Sequence, residues 1–196
     1  LSTAALGASA FIMNPWMQKN AVFAPMIIAA IGVFLSILGV FLVRTKENAS
    51  VKQLMDSLNR GVNVSAILIA GATFGILYLL GFSNWVGLSF SVIAGLLAGI
   101  IIGQGTEYFT SHSYKPTKRI AASAQTGPAT VIISGMGTGF ISTVIPVVTI
   151  VLAIMISYLS AIRFDVQNMI SGENLSMGLY GIAIAAVGML STLGIT

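Results

Sequence analysis

The stretch GLSFSVIAGLLAGIIIGQGTEYF, residues 87–109, carries no charged side chain before Glu107. An apolar run of about 18 or more residues is long enough, as a helix, to cross a hydrocarbon core about 30 Å thick. Lipid offers the backbone no hydrogen-bonding partner, so such a run takes the helical form, which pairs its own N–H and C=O groups. The same reading extends outward to 22–43, 62–82, 127–160 and 178–196, none of which has an internal charge. The expected fold is all-α, a polytopic transmembrane helix bundle of about five full spans plus a partial one. Residues 1–196 would form part of a single transmembrane domain.

Composition points the same way. Hydrophobic residues make up 56% of the chain and charged residues 7%, against roughly 25% charged in a soluble domain. The lipid bilayer is therefore the first expected partner. The net charge of +4 is distributed over loops between apolar spans, so no nucleic-acid partner is expected. With no cysteine and one histidine, thiol chemistry, disulfides and a histidine-rich metal site are excluded within the chain. Leu1–Met13 is apolar but only about 20 Å long as a helix, so it reads as the second half of a span. It lacks the initiator Met and basic region of a signal peptide, and 178–196 stops without a polar flank. The chain is expected to be the middle portion of a longer one.

Loop charge gives the orientation. Connection 44–61 carries Arg44, Lys46, Lys52 and Arg60, and 110–124 carries Lys115, Lys118 and Arg119, whereas the alternate connections hold only Lys19 and Arg163. The positive-inside rule places the basic loops 44–61 and 110–124 in the cytoplasm of a multi-pass protein of the cell inner membrane. Within 44–61, Val51, Leu54, Met55 and Leu58 at helical spacing suggest a short surface helix connecting two spans.

Helices in lipid pack closely where small residues let backbones approach, so glycines at intervals of four are expected to mark contact stripes. Such sets are Gly71 and Gly75; Gly95, Gly99 and Gly103; and Gly135 and Gly139. The 127–160 span is too long for one upright crossing, at about 50 Å. Pro146 removes a backbone hydrogen bond inside it, and Ser142, Thr143 and Thr149 are placed to satisfy freed carbonyls, so a kink is expected near 142–146. A broken-helix ion site is the alternative use of such a kink.

GTEYFTSHSYKPTKRIAASAQTGPAT, residues 105–130, is the long polar interruption of the second half. Glu107 lies at the end of its span, with Lys115, Lys118 and Arg119 offering ion-pair partners; a functional role is the alternative. Tyr108, Phe109 and Tyr114 read as interfacial anchors, Pro116 as a stop to the preceding helix, and His112 as a solvated loop residue. Thr126 before Gly127-Pro128 reads as an N-cap followed by proline in the first turn.

Five motifs in order, TEYFTS at 106–111, YKP at 114–116, QTGPAT at 125–130, ISTVIP at 141–146 and GLYGIAIAAVGMLST at 178–192, resemble the membrane-integral pyrophosphatase family. The resemblance implies an ion-pumping enzyme that hydrolyses inorganic pyrophosphate and exports protons or sodium ions. It also implies Mg2+ as cofactor, K+ as a further candidate, and a homodimer. In that family the magnesium pyrophosphate motifs lie on helices before Leu1 and after Thr196. No catalytic, cofactor-binding or metal-binding residue is accordingly assigned here. The residues agree: hydrolysis with magnesium needs clustered carboxylates. Glu47, Asp56, Glu107, Asp165 and Glu173 are scattered over loops and helix ends on both sides of the membrane. A secondary transporter and a structural membrane subunit are the competing readings.

Overall fold

The computed structural model describes residues 15–41, 43, 51–82, 84–165 and 172–191. Seven α-helices follow one another there: α1 (Pro15–Val40), α2 (Val51–Leu79), α3 (Trp85–Thr110), α4 (Lys115–Ser123), α5 (Pro128–Ser142), α6 (Val144–Ala161) and α7 (Gly172–Ser191). No strand occurs among the described residues. Among the described residues five stretches are long and apolar enough to cross a membrane, and α5 with α6 counts as one of them, Pro128–Ala161. The all-α polytopic reading holds. The partial span 1–13, residues 44–50 of the connection 44–61 and the last residues 192–196 lie outside the described residues.

Two expected boundaries are corrected. The amphipathic 51–61 stretch is not a separate surface helix but the first turns of α2, which continues unbroken to Leu79. No proline interrupts it, and Gly61 sits where α2 meets α1: a Cβ there would come within 2.7 Å of Val43 Cγ2 and 3.3 Å of the Gly39 carbonyl. Close approach thus compensates for glycine's low helix propensity. The second correction is the loop 110–124, which contains the nine-residue helix α4 with Pro116 in its first turn. α3 ends at Thr110, six residues before Pro116, so the proline does not stop α3 but opens the next helix, where its missing N–H is no loss.

The chain divides into two compact units, one from residues up to Gly99 and from Ala153 onward, the other Ile100–Leu152. In the first unit α7 is the hub. Its Ala185 backbone meets Gly95 of α3 so closely that a Cβ on Gly95 would overlap the Ala185 carbonyl oxygen. Gly188 lies over Val92 of α3, Gly181 over Ala161 and the Ser157 carbonyl of α6, and Gly178 over the Tyr158 ring.

Polar groups fix the same unit where lipid supplies no hydrophobic drive between helices. Asn84 Nδ2 donates to the Ala161 carbonyl at 2.6 Å, and Ser91 Oγ to the Ser157 carbonyl at 2.9 Å. Asn20 Nδ2 donates to the Leu80 carbonyl at 3.2 Å. Tyr180 donates its hydroxyl to the Ala21 carbonyl at 2.7 Å across the α1–α7 contact. That last bond has a specific cause. Pro25 lies inside α1 and has no N–H, so the Ala21 carbonyl four residues earlier loses its helical donor. Tyr180 replaces it.

Glycine spacing alone does not predict contact. Gly95 is tightly packed, whereas a Cβ on Gly71, Gly75, Gly103, Gly135 or Gly139 would meet nothing of the described chain within 4 Å. Among the described residues the expected stripes therefore hold at Gly95 and bring no contact at these five positions. Spacing of four puts residues on one helix face, but whether another helix covers that face depends on the tertiary arrangement.

The kink is where it was expected. α5 ends at Ser142, Thr143 forms a turn, and α6 opens at Val144 so that Pro146 falls in its first turn. Ser142 Oγ donates to the Gly139 carbonyl at 2.7 Å and Thr143 Oγ1 to the Phe140 carbonyl at 2.8 Å. These acceptors lie in the last turn of α5, whereas the carbonyl that Pro146 leaves without its helical donor is that of Ser142, four residues before it.

Candidate functional site

The most polar surface of the second unit is built from the end of α3, α4 and the start of α5. α3 closes at Thr110 because Ser111 follows with a turn: Ser111 N donates to the Glu107 carbonyl at 2.9 Å and Tyr114 N to the Ser111 carbonyl at 3.3 Å. Thr117 Oγ1 then donates to the Phe109 carbonyl at 3.2 Å, tying the first turn of α4 to the last turn of α3. Tyr108 packs edge-on against Phe109 at 5.2 Å and tilted against Tyr114 at 5.3 Å, the aromatic cluster expected at an interface. Lys118 and Arg119 are exposed on α4, His112 is exposed in the turn before it, and Glu107 is half-buried.

Thr126 is not the N-cap of α5. That position is taken by Gly127, at φ 123° and ψ 170°, with Pro128 in the first turn as expected. The residue before proline is pushed out of the helical region, and here it adopts a left-side φ open to glycine and strained for other residues. Thr126 instead belongs to a short 3₁₀ turn, Ala124–Thr126, and its Oγ1 donates to the Ser123 carbonyl at 2.7 Å. Thr130 Oγ1 lies 2.9 Å from the Ser123 carbonyl and 2.7 Å from the Gly127 carbonyl, which joins the α4 and α5 ends through one hydroxyl.

Between α4 and α5 runs a groove of about 340 Å³ lined by Arg119, Thr130, Ser134, Gly137 and Thr138 with two isoleucines. Thr130, Ser134 and Thr138 recur every fourth residue, so their hydroxyls share one face of α5. That spacing was a readable signal which the glycine pattern on the same helix had obscured. The groove offers a guanidinium and hydroxyls but no carboxylate, so it can hold an anion or a polar group and has no base to activate water.

The described carboxylates do not assemble. Asp56 lies near the start of α2, Glu107 in the last turn of α3 and Asp165 beyond α6. Among the described residues no three of His, Cys, Asp and Glu form a group that could hold a metal ion. Magnesium, implied by the resemblance, does not fit these residues, since it is held through carboxylates and needs near-octahedral geometry. The side chains of Glu47 and Glu173 lie outside the described residues.

A model of the family described as inorganic H+ pyrophosphatase matches residues 1–196. A Bacteroides thetaiotaomicron protein named "Putative K(+)-stimulated pyrophosphate-energized sodium pump" is 58% identical over 198 residues, which cover 100% of this chain and 26% of that protein. A K(+)-insensitive pyrophosphate-energized proton pump of Methanosarcina mazei is 40% identical over 177 residues, 90% of this chain and 24% of its own length. A K(+)-stimulated pyrophosphate-energized sodium pump of Thermotoga maritima is 34% identical over 176 residues, 85% of this chain and 22% of its own. The chain spans about a quarter of the length of these relatives.

Proposed function

Because the chain belongs to the inorganic H+ pyrophosphatase family, we propose that it forms the middle of a membrane-bound pump that couples hydrolysis of inorganic pyrophosphate to export of protons or sodium ions. The observation that carries this reading is the family match along the whole of residues 1–196. Its described helices serve as framework: they pack through glycine contacts and interhelical hydrogen bonds, while magnesium and pyrophosphate are bound by residues elsewhere in the protein. K+ as an activator and a homodimeric assembly belong to the same proposal. Sealed vesicles carrying the full-length protein are expected to take up ions when pyrophosphate is supplied on the side bearing its hydrolytic site. Uptake that proceeds without pyrophosphate, driven only by an ion gradient, would favour a secondary transporter instead.

The basic segments 44–61 and 110–124 face the cytoplasm of a cell inner membrane in this reading, on the strength of the charge asymmetry. His112 is exposed in the turn before α4. In a version of the full-length protein without other cysteines, His112→Cys is expected to react with an impermeant thiol reagent only in inverted vesicles. Reaction in intact cells would reverse the topology.

A further inference from the structure

Arg119 carries a guanidinium that the described residues leave unpaired. It is exposed on α4, no hydrogen bond or ion pair from a described residue reaches it, and the residues that line the α4–α5 groove with it include no carboxylate. The neighbouring hydroxyls are already bonded to their own helix. Thr130 Oγ1 lies 2.7 Å from the Gly127 carbonyl, and Thr138 Oγ1 donates to the Ser134 carbonyl at 2.8 Å. The N–H donors of Arg119 are thus left to whatever enters the groove.

The shape of α5 restricts what that is. Thr130, Ser134 and Thr138 share the groove side with Gly137, on which a Cβ would meet nothing of the described chain within 4 Å. Ile132, Met136 and Phe140 recur at the same interval two residues on, about 200° round the helix, so the bulky side chains project from the opposite side. The groove side is the one on which another backbone can come close. No residue of α5 is buried by the described chain. The relatives have sequence to supply a neighbour, because this chain covers 26%, 24% and 22% of their lengths and about three quarters of each lies outside the match.

We infer that the α4–α5 groove receives a helix of the same polypeptide from outside residues 1–196, and that Arg119 pairs with an Asp or Glu near the end of that helix. The inference rests on reading the chain as the middle of a longer pump. Charge sets the chemistry of the occupant. A planar guanidinium meets a carboxylate through paired, charge-assisted N–H···O bonds. Lys115 and Lys118 lie on the same short helix as Arg119 and repel a basic partner. The carboxylate compensates a cation at the mouth of the groove, while the small side chains along α5 let the two backbones pack.

The test places the photoreactive residue p-benzoylphenylalanine at Ile133, an exposed residue that lines the groove, in the full-length protein in its membrane. Irradiation is expected to join the groove to a segment of the same polypeptide outside 1–196. The product should have the mass of a monomer, and the captured residue should lie within about two helical turns of an Asp or Glu. Exchanging charges then tests the pair. Arg119→Glu is expected to lower the melting temperature, and changing the captured acid to Arg in the same protein is expected to raise it again. Neither readout uses pyrophosphate, so this result is separate from that of the pumping assay. Capture of a second copy, of residues within 1–196 or of no protein at all overturns the proposal, as does a captured segment without an acid. An Arg119→Glu protein that melts with wild type overturns it too; if that variant does not fold, the crosslink decides alone.

Discussion

Gly95→Leu is expected to destabilise the protein by more than about 3 kcal/mol, the upper end of the usual cost of overpacking. Overpacked cores ordinarily relax by moving side chains. Here a Cβ alone would meet Ala185 backbone, including its carbonyl carbon at 2.7 Å, so the helices themselves must separate. Separation would also loosen the neighbouring contact of Gly188 with Val92, since both join α3 to α7. The measurement is the thermal inactivation temperature of the detergent-solubilised full-length protein, with Leu97→Ala as control because Leu97 is 54% exposed two residues away. Gly95→Leu should melt far below wild type and Leu97→Ala close to it. Equal behaviour of the two would mean that α3 and α7 do not meet along this face.

Tyr180→Ala is the second large effect, expected to cost about 3 kcal/mol or more, as for other buried aromatic truncations. Tyr180 is among the largest fully buried side chains and stacks on Phe82 with ring centres 6.2 Å apart. Its removal leaves a cavity and also strips the Ala21 carbonyl of the donor that replaces the missing N–H of Pro25. Tyr180→Phe separates the two contributions. It keeps the ring and loses only the hydroxyl, so about 1–3 kcal/mol is expected for the unsatisfied buried carbonyl. Combining Tyr180→Phe with Pro25→Ala restores the helical N–H to Ala21 and should recover much of that loss. If the double variant is no more stable than Tyr180→Phe, the hydroxyl is not the substitute donor.

These two sites mark what was legible in the sequence and what was not. Spans were legible because lipid demands long uncharged runs, and the bend at Thr143 because Pro146 cannot donate. The Gly127-Pro128 opening of α5 was legible too, but not the cap, because the rule that favours Thr126 as an N-cap competes with the backbone restriction that proline places on the residue before it. Gly95 and Gly71 looked equivalent, each one of a set spaced by four. Only the fold distinguishes them, since periodicity defines a face without saying what lies opposite. The Tyr180–Ala21 bond joins residues 159 apart, and no local pattern announces such a pair. The scattering of the acidic residues along the chain was legible too: Asp56, Glu107 and Asp165 lie near the start of α2, in the last turn of α3 and beyond α6.

The central claim is that these helices support a pyrophosphate-driven pump without performing its chemistry, and Glu107 tests it most directly. It is the half-buried carboxylate at the end of α3, beside the most polar surface of its unit. If it serves only to hold the helix end near Lys115, Lys118 and Arg119, an interfacial ion pair worth about 1 kcal/mol or less is at stake. Loss of a magnesium ligand or a general base would instead lower the rate by orders of magnitude. The decisive measurement is pyrophosphate hydrolysis by the full-length Glu107→Gln protein, with its folding checked by melting temperature. The framework account predicts a rate within a few fold of wild type, and a folded variant slowed about a thousandfold would contradict it.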